Sequence, residues 1–168
     1  AAAAAHQLGL KWPEIKEGIE SFQGVKRRFE VHIKNKDLVY IDDYAHHPKE
    51  IEALIQSVKE LYPQKKITTI FQPHLFSRTR DFSNEFADAL SLSDNLLLLD
   101  IYPAREKPIQ GITSEWLLAK TECASATVVS KEDLNQKVLE LKPQVVLTVG
   151  AGDIDQCVEP LKSALLKE

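Results

Sequence analysis

From Phe29 onward, short apolar runs alternate with stretches whose apolar residues recur at helical spacing. Few folds accept that order. Leu38-Val39-Tyr40-Ile41 is apolar throughout, as in a strand covered on both faces. The stretch behind it places Ile51, Leu54, Ile55, Val58, Leu61 and Tyr62 on one side, at a period of about 3.6 residues. Pro48 suits the first position of that helix, where its missing N–H would be unpaired anyway. Further strands are expected at residues 66–71, 95–100, 127–129 and 144–149. Helices are expected from about 81 to 92, from 115 to 120 with Ser114 as cap, and after Ser130 with Leu134, Val138 and Leu141 inward. A last helix follows Gly150-Ala151-Gly152-Asp153, with Ile154, Cys157, Val158, Leu161 and Leu165 inward. Ahead of the series, Phe29-Glu30-Val31-His32-Ile33 alternates, and Asn35-Lys36-Asp37 turns it back as a hairpin or adjacent strands. Right-handed crossovers then predict an α/β fold: a Rossmann-like, mainly parallel sheet with helices on both faces, led by a strand pair open to antiparallel pairing.

Three of these runs end in polar clusters: Asp42 to His47, His74 to Arg80, and Tyr102 to Glu106. In a parallel sheet such ends share one edge, where helix N-termini converge and ligands bind. A single site on that edge is therefore expected. For any one Asp or His the plainer reading is a turn or a cap. Five titratable side chains in the six positions 42–47 weigh against it. Arg78 and Arg80, at or before a helix start, would make a site for an anion such as a carboxylate. The plainer reading pairs Arg80 with Asp81 or Glu85. The glycine turn at 150–153 resembles half of a phosphate loop. It lacks the Lys-Ser/Thr of a P-loop and the third glycine of a dinucleotide fingerprint, so a tight turn is its plainer reading.

The 168 residues suit one domain with a small appendage. The balance of 21 basic against 25 acidic residues, net −4, gives no reason to expect nucleic acid or an anionic membrane. No run approaches the roughly 18 apolar residues of a membrane span. The opening alanines carry no charged segment of a secretory signal. Cys123 and Cys157 show no CxxC or Cys/His spacing, which predicts free thiols in a cytoplasmic chain and no zinc or other metal site. The absence of any Met marks the chain as a piece of a longer one. Residues 1–23 read as the helical tail of a preceding domain: Gly9 ends one helix, and Trp12-Pro13-Glu14 opens another with Ile15, Ile19 and Phe22 on one side. Gln23-Gly24-Val25-Lys26 is the expected linker, and residues 24–168 the domain proper. The basic triplet Lys26-Arg27-Arg28 lies at that junction, within reach of a phosphate on a neighbouring domain.

Four strings resemble the Mur ligase family, in order along nearly the whole chain. They are Gly24-Val25-Lys26-Arg27-Arg28-Phe29, Asp42-Asp43-Tyr44-Ala45-His46-His47-Pro48, Phe71-Gln72-Pro73-His74 with Ser77-Arg78-Thr79-Arg80-Asp81, and Gly150-Ala151-Gly152-Asp153-Ile154. The resemblance implies a three-domain parent: an N-terminal domain for a UDP-sugar, a central P-loop domain for ATP, and a C-terminal Rossmann-like domain that brings the amino acid. The type it resembles most joins L-alanine to UDP-N-acetylmuramate, with ATP and Mg2+, through an acyl phosphate in peptidoglycan precursor synthesis. This chain would be the C-terminal domain with a tail of the central one. Its partners would be those substrates and the other two domains, with neither nucleic acid nor membrane. It has no Gly-Lys-Thr/Ser loop, so no catalytic residue is assigned to it and it should be inactive alone. By the same resemblance, Arg28 and Asp43 contact ATP, the arginine at a phosphate and the aspartate near ribose or adenine. Tyr44, His46, His74 and Arg78 surround the amino acid, with His47 and Arg80 as further candidates. Some members carry an arginine where this chain has Leu75, so the clamp would rest on Arg78 alone or recruit Arg80. Two alternatives stand beside this reading. One is a murein tripeptide-recycling ligase of the same family. The other is a stand-alone nucleotide-binding α/β module docking through Arg27, Arg28 and the glycine turn.

Overall fold

The computed structural model describes residues 1–22 and 24–167. Gln23, expected in the linker, and Glu168 lie outside the described residues, so the proposed boundary at 23 falls on a position left undescribed. The strands are β1 (Glu30–Lys34), β2 (Val39–Asp43), β3 (Ile67–Phe71), β4 (Asn95–Leu98), β5 (Ser125–Val128) and β6 (Val145–Val149). They form one sheet in the order β1-β2-β6-β3-β4-β5. β1 and β2 are antiparallel, and every other pairing is parallel. The hairpin turn is closed by Asn35 Oδ1, which accepts from Asp37 N–H at 3.0 Å and Leu38 N–H at 2.8 Å.

β6 sits between β2 and β3, with Asp43 level with Val149, and Val149 level with Phe71. Three strand ends from distant parts of the chain therefore finish abreast. Strand residues alternate between two cores. Ile41, Phe71 and Leu147 face α3 (Pro48–Leu61), α5 (Ser83–Leu90) and α6 (Ser114–Leu118), where Ile51, Ile55, Val58, Phe86, Leu90 and Leu117 are fully buried. Tyr40, Ile70 and Val146 face α7 (Leu134–Glu140) and α8 (Val158–Leu165), against Leu134, Val138, Ile154 and Leu161. Each such side chain contributes at most about 1.5–3 kcal/mol.

The helix expected at 81–92 is two helices, α4 (Phe76–Asp81) and α5, broken at Phe82. α4 begins early because Leu75 is held at φ 73° between two anchors. Its N–H donates to Tyr102 O at 2.9 Å, and its carbonyl accepts from Thr79 N–H at 3.0 Å. Arg78 and Arg80 thus lie within α4, towards its C-terminal turn, where the helix dipole favours a cation. They precede α5, which starts at Ser83, but from within a helix of their own. α6 is capped by Thr113, whose Oγ1 accepts from Trp116 N–H at 3.1 Å. Ser114, the expected cap, donates instead to Leu99 O at 2.6 Å. The glycine turn leads into a 3-10 turn at Asp153–Cys157 before α8.

At the start of the chain, α1 (Ala2–Gln7) and α2 (Trp12–Glu20) pack on each other. Gly9 follows α1 at φ 93°, a left-handed conformation that a side chain would strain. On α2 only Ile15 is buried, and beyond its end Phe22 is 66% exposed. No helix among the described residues is long and apolar enough to cross a membrane.

Candidate functional site

Asp43 closes β2 by holding the turn behind it. Its Oδ2 accepts from Phe29 N–H at 2.7 Å and its Oδ1 from Ala45 N–H at 2.8 Å. The neighbouring Asp42 points the other way and is buried. It accepts from Thr148 Oγ1 at 2.6 Å and from Arg27 Nε at 3.0 Å. Arg27 also donates from Nη2 to Gly150 O at 2.6 Å, and its guanidinium lies 5.2 Å from the Tyr44 ring centre. One side chain thus ties the junction to β2 and to the turn after β6. This corrects the reading of Arg27 as a cation free to meet a partner. Arg28, in contrast, is exposed.

The turn after β6 is filled from within. Gln72 Oε1 accepts from Ile154 N–H at 2.9 Å, and its Nε2 donates to Asp153 Oδ1 at 2.8 Å. Gly150 stands at φ 147°, and a Cβ there would lie 2.8 Å from Gln72 O. A Cβ on Gly152 would lie 2.8 Å from Tyr102 Cβ. The glycines serve close packing, since a Cβ at either would collide with Gln72 or Tyr102. This packing accords with the tight-turn reading.

α3 starts at the rim. Glu50 Oε2 accepts from His46 N–H at 3.0 Å and His47 N–H at 3.1 Å, a capping arrangement. Burial raises the Glu50 pKa, but those two N–H groups together with the His46 and His47 side chains outweigh it and hold the carboxyl below its usual value. His47 is the N-cap residue, and its ring packs 5.1 Å from Phe82. His47 therefore serves the helix start. His46 Nδ1 lies 3.0 Å from Tyr44 O, which can only accept, so Nδ1 carries a proton, and the same nitrogen lies 3.6 Å from Glu50 Oε2.

Opposite His46 stands His74, at a ring distance of 6.4 Å, while Tyr44 flanks His46 at 5.3 Å. Tyr102 stacks on His74 at 5.6 Å and 24°. Burial, then Arg78 and His46, push the His74 pKa below its usual value, which favours the neutral ring. Glu106 accepts from Ser77 N–H at 2.9 Å and also from Ser77 Oγ, fixing the residue next to Arg78. His74 Nδ1 and Arg78 Nη1 are buried without a hydrogen-bond partner among the described residues. Arg80 pairs with Asp81 at 2.7 Å and is half exposed, as the plainer reading had it.

Tyr44, His46, His74 and Arg78 thus gather on one rim. Arg28 and Asp43 line, with Tyr44, His46 and Glu50, an adjoining cleft of about 550 Å³. Sequence reasoning gave no role to Gln72, Tyr102 or Glu106. Only the polar tail after β4 signalled the last two.

The family model described as Mur ligase, glutamate ligase domain, matches residues 27–152. A UDP-N-acetylmuramate–L-alanine ligase of Cytophaga hutchinsonii is 56% identical over 95% of this chain and 34% of its own length. One of Christiangramia forsetii is 51% identical over 100% of this chain and 37% of its own. Among solved structures, the UDP-N-acetylmuramate–alanine ligase of Thermotoga maritima aligns at TM-score 0.75 and 30% identity, over 98% of this chain and 36% of that one. A murein peptide ligase of Psychrobacter arcticus, at TM-score 0.66 and 22% identity over 98% of this chain and 35% of that one, shares the fold. The chain spans about a third of the length of these relatives.

Proposed function

The chain belongs to the Mur ligase family, and from that premise we propose that it is the amino-acid-placing C-terminal domain of an ATP-dependent ligase joining L-alanine to UDP-N-acetylmuramate. The parent would work in the cytoplasm on peptidoglycan precursors. The observation that carries the reading is the pair of buried, unpartnered nitrogens, His74 Nδ1 and Arg78 Nη1, on one rim. Buried polar groups without partners are costly, by roughly 1–3 kcal/mol each, unless a ligand completes them. An amino-acid carboxylate seated on Arg78 would do so. With Nδ1–H on Tyr44 O, a neutral His46 would accept from the amine through Nε2. The amine must lose a proton before it attacks the acyl phosphate, and a neutral His46 or His74 is suited to take it.

Arg28 and Asp43 are proposed to complete the ATP site from this side, the exposed guanidinium at a phosphate. Mg2+ prefers oxygen ligands in octahedral array. The three-residue ligand cluster among the described residues includes an imidazole, which does not suit Mg2+. We assign the ion and the γ-phosphate to the rest of the parent, and the chain alone should not ligate. The test is Arg78→Ala in the full-length enzyme. The KM for L-alanine should rise about 10–100-fold, the loss of one charge-assisted contact, with the KM for ATP nearly unchanged. An unaltered alanine KM would overturn the assignment.

A further inference from the structure

Three buried side-chain nitrogens lack a partner among the described residues, and the amino-acid rim accounts for two. The third, His32 Nε2, lies elsewhere, on the α8 face of the β1–β2 hairpin. His32 occupies a β-bulge: Val31 pairs with Ile41 and Ile33 with Tyr40, leaving His32 without a cross-strand partner. Bulges re-aim side chains. The ring packs 5.4 Å from that of Tyr40, and the side chain is only 11% exposed. Its Nε2 lies 4.0 Å from Glu30 Oε1, and Asp42, the register partner of Glu30, completes a set whose ligand atoms all lie within 4.8 Å of one another. On the other side of the ring, Nδ1 lies 3.9 Å from Glu159 Oε1.

We propose that Glu30, His32 and Asp42 form a binding site for a divalent transition-metal ion of the zinc class. The imidazole stands between the Glu30 and Glu159 carboxylates, hydrogen-bonded to neither, and a cation between Nε2 and Glu30 would fill the 4.0 Å gap. A carboxylate behind a ligating histidine is the usual outer partner of a zinc site, fixing the tautomer and orienting the ring. Imidazole with carboxylates suits zinc rather than magnesium. Ligand atoms around zinc stand about 3.4 Å apart, so side-chain rotations of roughly 1 Å would close the set. Asp42 already accepts from Arg27 and Thr148, and each of its oxygens retains a free lone pair. Three carboxylates face Arg27 within and Lys162 at the outer rim, 3.7 Å from Glu159, and leave the cluster net negative. A bound ion would staple β1 to β2 beside the Arg27 brace. The assignment stands apart from the proposed ligase role.

Calorimetric titration of the chain with Zn2+ alone, at neutral pH, tests it. One strong equivalent is expected, with a rise in Tm. His32→Gln should abolish that equivalent, and Glu159→Gln should weaken it about 10–100-fold. His46→Asn, on the other rim, should leave it intact. A strong equivalent that survives His32→Gln, one lost in His46→Asn, or none in the unaltered chain would overturn the proposal. Should His32→Gln fail to fold by circular dichroism, Glu30→Gln tests the same ligand set, with the same two outcomes.

Discussion

Arg27 and Arg28 are chemically identical neighbours with different work. Arg27 is turned inward by its φ of 58° and held by Asp42 and Gly150 O, whereas Arg28 is left exposed. Nothing in the triplet distinguishes them, because the partners of Arg27 lie on β2 and after β6. The same holds for the histidines. His46 and His47 stand side by side, yet one faces the rim and the other caps α3. His74 is the residue whose titration reports the site. Burial is the main cause of its lowered pKa, with Arg78 next. A histidine depressed in the fold contributes stability that is present above its unfolded value, here 6.5, and is lost as pH falls through its folded value. Imidazole NMR of the chain should therefore give His74 a midpoint below 6.5, and Arg78→Gln should move that midpoint upward. A His74 midpoint at or above the ordinary value would contradict the geometry of the rim.

At the scale of elements, two helix starts build the rim by different means. α3 uses Pro48 at its first position and Glu50 reaching back to two N–H groups. Those signals are local and were legible in the sequence, as was the apolar face of the helix. α4 uses Leu75 at positive φ, a conformation costly for a branched side chain and kept only because Tyr102 and Thr79 hold it. No local pattern announces that, so the sequence placed the helix start too late and put Arg78 ahead of it. The α3 cap is open to measurement. Glu50→Ala should lower stability by about 1 kcal/mol at neutral pH, a typical cap loss. Its carboxylate contribution is present above the unfolded pKa of 4.5 and fades as pH falls through the lowered folded value, so wild type and variant should converge in acid. Denaturant melts at pH 7 and pH 3 would show it, and an equal gap at both would exclude the carboxylate as the cause.

For the whole molecule, β6 is the decisive insertion. It arrives last and slots between β2 and β3, bringing the Gly150 turn against Arg27 and Gln72. The cores on the two sheet faces draw on elements from β1 to α8. α1 and α2 contribute little to them: Ile15 is their buried apolar side chain, and Trp12, Ile19 and Phe22 are mostly exposed. A chain lacking residues 1–22 should consequently melt within about 2 °C of the intact one by scanning calorimetry, since little buried surface is lost. A much larger drop would make the opening helices part of the domain core, against the reading of them as a tail.

The sequence by itself determined the α/β class, the alternation of elements and the two-sided burial of the sheet, because periodicity is set by neighbours along the chain. It also marked the clusters 42–47, 74–80 and 102–106, since polar residues at strand ends share an edge in any parallel sheet, whereas the choice of Tyr44, His46, His74 and Arg78 within them came from the family resemblance. The tertiary structure decided which arginine braces and which faces out, which histidine caps and which faces the rim, and that Gln72 fills the glycine turn. It also decided that Glu30, His32 and Asp42 meet across a bulged hairpin. Each of those outcomes depends on a partner far away in sequence. Burial and hydrogen bonding act on distance in space, and only the folded chain sets that distance.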